Sequence, residues 1–494
     1  MPVKKNRKNR SPRKRPASSS TRRQKLLQDK ANEKRASGDA PSFDELLDNA
    51  IEHYESGRLE NAKEVAVSLS QKFPNQQVGW KVLGVVLQKL GETRESLVPM
   101  QRSAELGPLD AEAHYNLGVT LLELGHLSEA EESYKQALAL KSDYAEAHSN
   151  LGATLQELGR LDEAEKSYLQ AIRLMPHNAA ALNSFGNVLK RQHRFDEAEK
   201  RYSQAIELSP DFSSALFNRS ALYLVKKNYE AALRDADRCN TGESRELGLV
   251  ALYGLGRIEE TYSRIAQFSD LDKNNLKIAA FSAFVAFTEK KETEHNFCRN
   301  PLDFLHFSKI SDHIEHDLDF IQGLIEELSD YPVIWEPGGK ATKNGCQTLT
   351  QTNLFETFSG RIGKLKRIIL NELDAYFSKF KDRECGFISE WPAEKKLHAW
   401  HVALQQKGYQ TPHFHPDGWL SGVIYLKVVP SLGKNEGAIE FSLNGEHYSN
   451  PEIPVVKYQP AQGDVILFPS SLHHRTIPFT TATDRIIISF DLMP

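Results

Sequence analysis

Residues Thr411–Leu426 read TPHFHPDGWLSGVIYL. Two histidines and an aspartate, His413, His415 and Asp417, lie close together there, the turn Pro416-Asp417-Gly418 follows, and Leu420–Leu426 is a strand-like run. Alternate side chains of an extended chain share a face, so His413 and His415, or His415 and Asp417, can converge on one point. A His-x-Asp pair at the end of a strand, completed by a distant histidine, holds non-haem Fe(II) with open positions.

Downstream, GDVILFPSSLHHRTIPF (463–479) offers the distant histidine at His473 or His474, and Arg485 opens the strand-like run RIIISFDL (485–492). A fixed guanidinium forks well onto a carboxylate. This order of blocks resembles the 2-oxoglutarate/Fe(II)-dependent oxygenases. More narrowly, the three blocks within about Leu397–Pro494 look like the 2OG-Fe(II) oxygenase family often fused to tetratricopeptide repeats. The resemblance implies Fe(II), the cosubstrate 2-oxoglutarate and O2, with oxidative decarboxylation to succinate and CO2 driving hydroxylation of a substrate. It implies metal ligation by His415, Asp417 and His474, the second histidine of the FPSxLxH-like run. The HxH pair is the family's more constant feature, so His413 is the alternative ligand, in the set His413/His415/His474. Arg485 is implied as partner of the distal carboxylate of 2-oxoglutarate, with Arg475 a second candidate. No catalytic side chain is implied beyond the metal centre. Ser421, Val423 and Tyr425 alternate on the ligand face, which makes Tyr425 either a hydrogen-bond donor to the cosubstrate or a strand tyrosine of the core.

Around these blocks, short strands (LSGVIYLKVV, GAIEFSL, GDVILFP, RIIISFDL) are separated by turn residues, as in a double-stranded β-helix, or jelly roll. This domain is expected over residues 331–494. Its first part is read as a strand (YPVIWEP, 331–337), a Gly/Lys/Thr loop, a helix over 354–380 with apolar residues at three- and four-residue steps, and first barrel strands over 391–404. His398 and His401 fall outside the ligand blocks and are read as structural or rim residues. Residues 269–330 read as a helical connector, in which His295, Cys298 and His306 lack zinc-ligand spacing and have core or capping roles.

Towards the N-terminus the chain repeats every 34 residues. Gly84, Gly118, Gly152 and Gly186 fall in register, as do Gly57, Gly91, Gly125 and Gly159, and Tyr134, Tyr168 and Tyr202. This pattern resembles the tetratricopeptide repeat, a helix–turn–helix unit stacked into a solenoid. Six units from 43 to 246 and a degenerate cap at 252–268 are expected over 43–268. The fold class is therefore multidomain α + β, a tetratricopeptide α-solenoid followed by a jelly roll. Asn116, Asn150 and Asn218 share one register, with Ser184 in the gap. An amide side chain offers a donor and an acceptor, so a row of them can pair with a peptide backbone. The repeat AEAHSNLGATLQELGRLDEAEKSY looks like those of O-GlcNAc transferase, where such a ladder lines the groove. The resemblance implies a peptide- or protein-binding concave face; the competing reading is of solvated polar positions.

The overall charge of −4 is uneven: the first 35 residues carry a net +12, leaving −16 for the remainder. Residues 1–40 are basic, rich in Ser and Pro, and expected to be disordered. They read as a nuclear-localisation or polyanion-binding arm, or as a solubilising tail. Any nucleic-acid contact would come through this segment alone. Four cysteines without paired spacing fit reduced thiols, and no apolar run is long enough for a membrane helix. A cytoplasmic protein is expected, nuclear if the tail is an import signal. Three functions fit: an oxygenase hydroxylating a peptide or protein recruited by the repeats, an oxygenase of small molecules, or a non-catalytic repeat scaffold with a degenerate barrel.

Overall fold

The computed structural model describes residues 41–337, 340–348, 352–356, 359–430 and 435–494; the basic segment 1–40 lies outside them. The chain divides between Gly107 and Pro108 into two compact units. In the first, α1 (Phe43–Glu55) pairs with α2 (Leu59–Lys72), and α3 (Gln77–Leu90) with α4 (Thr93–Leu106). The second opens with five more helical hairpins: α5 (Ala111–Glu123) with α6 (Leu127–Leu140), α7 (Ala145–Glu157) with α8 (Leu161–Leu174), α9 (Ala179–Arg191) with α10 (Phe195–Leu208), α11 (Ser213–Val225) with α12 (Tyr229–Cys239), and α13 (Gly242–Gly254) with α14 (Ile258–Phe268).

The 34-residue register has a direct physical origin. In the four hairpins from α3 to α10 a glycine of the first helix (Gly84, Gly118, Gly152 or Gly186) lets a large side chain of the second reach its backbone. A Cβ at Gly118 would sit 2.7 Å from the Tyr134 ring, and one at Gly186 only 2.5 Å from Tyr202. The turn between the two helices needs a left-handed residue, supplied by Gly125 (φ 76°) and Gly159 (φ 77°). One and two periods further on, His193 (φ 59°) and Lys227 (φ 56°) hold the same conformation without being glycine. Side chains cap several helices: Asp110 accepts from the backbone of Glu112 and Ala113, and Asn178 from that of Ala181.

After α15 (Leu276–Glu289), ten strands form two antiparallel sheets. They are β1 (His306–Lys309), β2 (Val333–Trp335), β3 (Thr342–Thr348), β4 (Leu397–Gln410), β5 (Leu420–Lys427), β6 (Ile439–Ser442), β7 (Val456–Tyr458), β8 (Asp464–Pro469), β9 (His473–Thr476) and β10 (Arg485–Leu492). The large sheet runs β1-β8-β5-β10-β4-β3-β2 and the small one β7-β6-β9, as in a jelly roll. Two helices, α16 (Asp317–Leu328) and α17 (Gly360–Phe380), cover the outside of the large sheet. Leu365, Ile369 and Leu373 of α17 join Leu420, Ile424 and Leu426 of β5 in one core. The alternate residues Val423 and Tyr425 belong to a second core, inside the barrel, with Val402, Ile487 and Phe468.

Two strands depart from the sequence reading. Thr342–Thr348, read as part of a loop, is β3, paired with β2 and β4. It carries almost no apolar residue, and its buried polar groups satisfy one another: Thr342 Oγ1 donates to Gln347 Oε1, and Thr348 Oγ1 accepts from the His401 amide. The connector, read as helical, also supplies an edge strand, β1, which pairs with β8. His295 in the same connector bonds the Asp272 carbonyl, and Cys298 is buried in the core.

Candidate metal centre

His413 and His415 leave β4 and precede β5, while His474 lies on β9 of the small sheet. The backbones of His413 and His474 bond each other in both directions, at 3.0 and 2.8 Å, which draws the small sheet against the segment before β5. One ring nitrogen from each of His413, His415 and His474 then lies within 4.8 Å of the others. Among the described residues no other set of three histidine, cysteine or acidic side chains converges in this way. Asp417, expected as the carboxylate ligand, is exposed in the following turn and is not among them. His473 is not among them either; it packs against Phe414 and Tyr448.

The second nitrogen of each ring is already engaged. Nδ1 of His413 lies 2.7 Å from the Thr411 carbonyl, Nδ1 of His474 lies 3.2 Å from the Leu472 carbonyl, and Nδ1 of His415 lies 2.7 Å from Asp491 Oδ1. All three acceptors place the ring proton on Nδ1 and leave Nε2 with a free lone pair, the tautomer of a metal-bound histidine. Burial pushes the His413 imidazole down to about 3, with His415 adding to the effect, and it holds His474 well below its ordinary value. The His413 and His474 rings are therefore neutral at physiological pH, as ligands must be. A donor set of three converging imidazoles fits a divalent first-row transition metal.

Asp491 escaped the sequence reading, although a signal for it existed. Arg485, Ile487, Ser489 and Asp491 alternate on one face of β10, so the arginine singled out in the sequence shares its face with the aspartate. Ser421, on the neighbouring strand opposite Asp491, donates to its carboxylate at 2.6 Å.

Arg485 is 1% exposed and heads the largest fully buried side chains among the described residues. Its Nε and Nη1 have no hydrogen-bond partner, and neither has the Tyr425 hydroxyl. The guanidinium carbon lies 5.0 Å from the centroid of the Tyr425 ring. Burial pushes the arginine down and lifts the Tyr425 phenol to about 12. A buried cation with spare donors is expensive unless an anion completes it, so the site fits a ligand carboxylate. Arg475, by contrast, is exposed and paired with Glu440 at 2.7 Å. At the mouth, a cavity of about 230 Å³ is lined by Pro412, Glu440, Ser442, Asn444, His473 and His474, among others.

The repeat register is partly brought together. Asn218 on α11 joins Asn183 and Asn187 of α9 along a groove of about 440 Å³, where its Nδ2 donates to Asn183 Oδ1 at 2.9 Å. Asn150 donates instead to the Tyr115 hydroxyl at 3.2 Å, and Asn116 is half-buried at the same register on α5. Asn183 and Asn187 lie off the 34-residue register of Asn116, so periodicity could not point to them.

Residues 398–491 match a family model described as "Putative 2OG-Fe(II) oxygenase". Residues 143–211, 120–159 and 100–132 match three tetratricopeptide-repeat models. No curated protein matches the sequence. Similar solved structures include Pseudomonas aeruginosa pilF, with 23% identity over 42% of this chain and 97% of that chain (TM-score 0.38). They also include a tetratricopeptide repeat protein from Parabacteroides merdae, with 18% identity over 46% and 91% (TM-score 0.39), and MamA, with 23% over 34% and 92% (TM-score 0.32). Among the described residues no helix is long and apolar enough to cross a membrane.

Proposed function

We propose that this chain is a 2-oxoglutarate- and Fe(II)-dependent dioxygenase that hydroxylates a peptide or protein recruited by its tetratricopeptide groove. The observation that carries the reading is the buried Arg485, with two unpartnered nitrogens in the same barrel as a three-histidine cluster. His413, His415 and His474 would hold iron, through the Nε2 that their Nδ1 hydrogen bonds leave free, and Arg485 would receive the distal carboxylate of 2-oxoglutarate. The Tyr425 hydroxyl, itself unpartnered and on the ring that the guanidinium covers, would donate to the same carboxylate. When bound, iron and cosubstrate supply oxidative decarboxylation coupled to hydroxylation. The chain's own work is orientation. Backbone carbonyls and Asp491 fix the imidazoles, and the barrel interior excludes water from Arg485.

The mouth cavity of about 230 Å³ suits one side chain rather than a whole metabolite with its own binding shell. The bond between Asn183 and Asn218 leaves the Asn183 Nδ2 to donate and the Asn218 Oδ1 to accept, which matches the C=O and N–H of an extended peptide. Succinate release from 2-oxoglutarate, measured with peptide pools and with small-metabolite pools, tests the proposal. Turnover stimulated by peptides supports it. Stimulation by metabolites alone moves the substrate class, and no 2-oxoglutarate binding at all leaves a repeat scaffold.

A further inference from the structure

Three imidazole ligands bring no negative charge to Fe(II), and the carboxylate that the sequence offered for that task, Asp417, stands in solvent where its field is screened. We infer that Asp491 supplies the negative charge from behind His415, as a positioning residue of the metal centre; the inference rests on the metal reading above. Asp491 Oδ1 accepts from His415 Nδ1 at 2.7 Å and from Ser421 Oγ at 2.6 Å, and Ser421 Oγ lies 2.8 Å from Ser470 Oγ. All three of Asp491, Ser421 and Ser470 are buried.

The backbone is shaped around this carboxylate. A Cβ at Gly418 would lie 2.9 Å from Asp491 Cγ and 2.8 Å from Ser470 Oγ, so the turn after His415 can close over Asp491 only as glycine. The three histidines are held unequally. His413 and His474 lean on neutral carbonyls, whereas His415 leans on a charge. A carboxylate that accepts the Nδ1 proton raises the donor strength of Nε2 and fixes the plane of the ring. Its charge acts on the metal one imidazole away, in a setting where water screens it little. Asp491 thus keeps the charge count of a two-histidine, one-carboxylate site while standing behind His415 rather than on the metal.

Co(II) affinity of the full chain, read by its ligand-field absorption in competition with a chelator, tests this without requiring turnover. Asp491→Asn keeps an acceptor for the ring proton but removes the charge, and should weaken Co(II) about tenfold. Asp491→Leu removes both and should weaken it towards a hundredfold. Asp417→Asn should leave affinity at the wild-type value. In a His415→Ala background Asp491→Asn should cost nothing further, because its path to the metal is gone. Ser421→Ala, which keeps the carboxylate but removes one of its donors, gives a smaller loss and serves if Asp491→Asn does not fold. Wild-type affinity in Asp491→Asn, or an undiminished loss in the His415→Ala background, overturns the inference. Wild-type protein that binds no Co(II) overturns the metal reading itself.

Discussion

The Arg485 guanidinium lies over the ring of Tyr425, 5.0 Å from its centroid, and its Nε and Nη1 have no hydrogen-bond partner among the described residues. The protein thus carries a desolvated cation whose partner must come from outside. An unpaired buried charge lowers the stability of the empty protein, and an apolar replacement of similar length relieves it. Arg485→Met should therefore raise the melting temperature of the ligand-free protein, by the equivalent of about 1–4 kcal/mol, while abolishing stabilisation by 2-oxoglutarate. Differential scanning calorimetry with and without the cosubstrate checks both halves.

Lys227 occupies the glycine position of the inter-helix turn, exposed and at φ 56°. A side chain in that conformation costs about 1 kcal/mol. Lys227→Gly should raise the stability of its unit by about that amount, and Gly159→Ala should lower it similarly. Chemical denaturation of the two variants measures the difference.

Glu372 on α17 is buried against Ser308, His313 and His306, whose hydrogen bonds pull its carboxyl down to about 2 against the cost of burial. A depressed folded-state value means that its stabilisation is fully present above the unfolded value of 4.5 and is lost as pH falls towards 2. At neutral pH Glu372→Gln should cost on the order of 3 kcal/mol. The gap between wild type and variant should stay constant from pH 7 to about pH 5 and shrink below it. Urea titrations at stepped pH follow that gap.

Tyr448 packs between the solenoid side and the barrel, 4.6 Å from Phe284, 5.0 Å from Phe281 and 5.9 Å from His473 by ring centroids. Asn450 adds a hydrogen bond to Thr288. Removing the ring should cost about 3 kcal/mol, read as a lower melting temperature. An unchanged melting temperature in Tyr448→Ala would show that α15 is held to the barrel by the rest of their shared core.

The sequence carried the fold where the chain repeats a packing rule. Gly118 with Tyr134 and Gly186 with Tyr202 are visible as a period of 34 because each glycine answers a specific aromatic ring. The core strands β5, β8 and β10 were legible as apolar runs between turns. β3 was not, since its buried side chains are polar and satisfied within the sheet. At the site, His413, His415, His474 and Arg485 could be read from local motifs, but the choice between Asp417 and His413 could not. Local spacing allows either pair to share a face, and only the backbone bridge from His413 to His474 brings that histidine to the cluster. Asp491 lies 76 residues beyond His415, so their pairing depends on strand order that no local pattern encodes.

Anaerobic addition of Fe(II) and 2-oxoglutarate, followed by the weak metal-to-ligand absorption band, tests the proposed centre most directly. The band should form in wild type and in Asp417→Ala, and should be lost in His413→Ala and His474→Ala. A band that survives in His413→Ala but disappears in Asp417→Ala would contradict the three-histidine centre and return the ligand set to His415, Asp417 and His474.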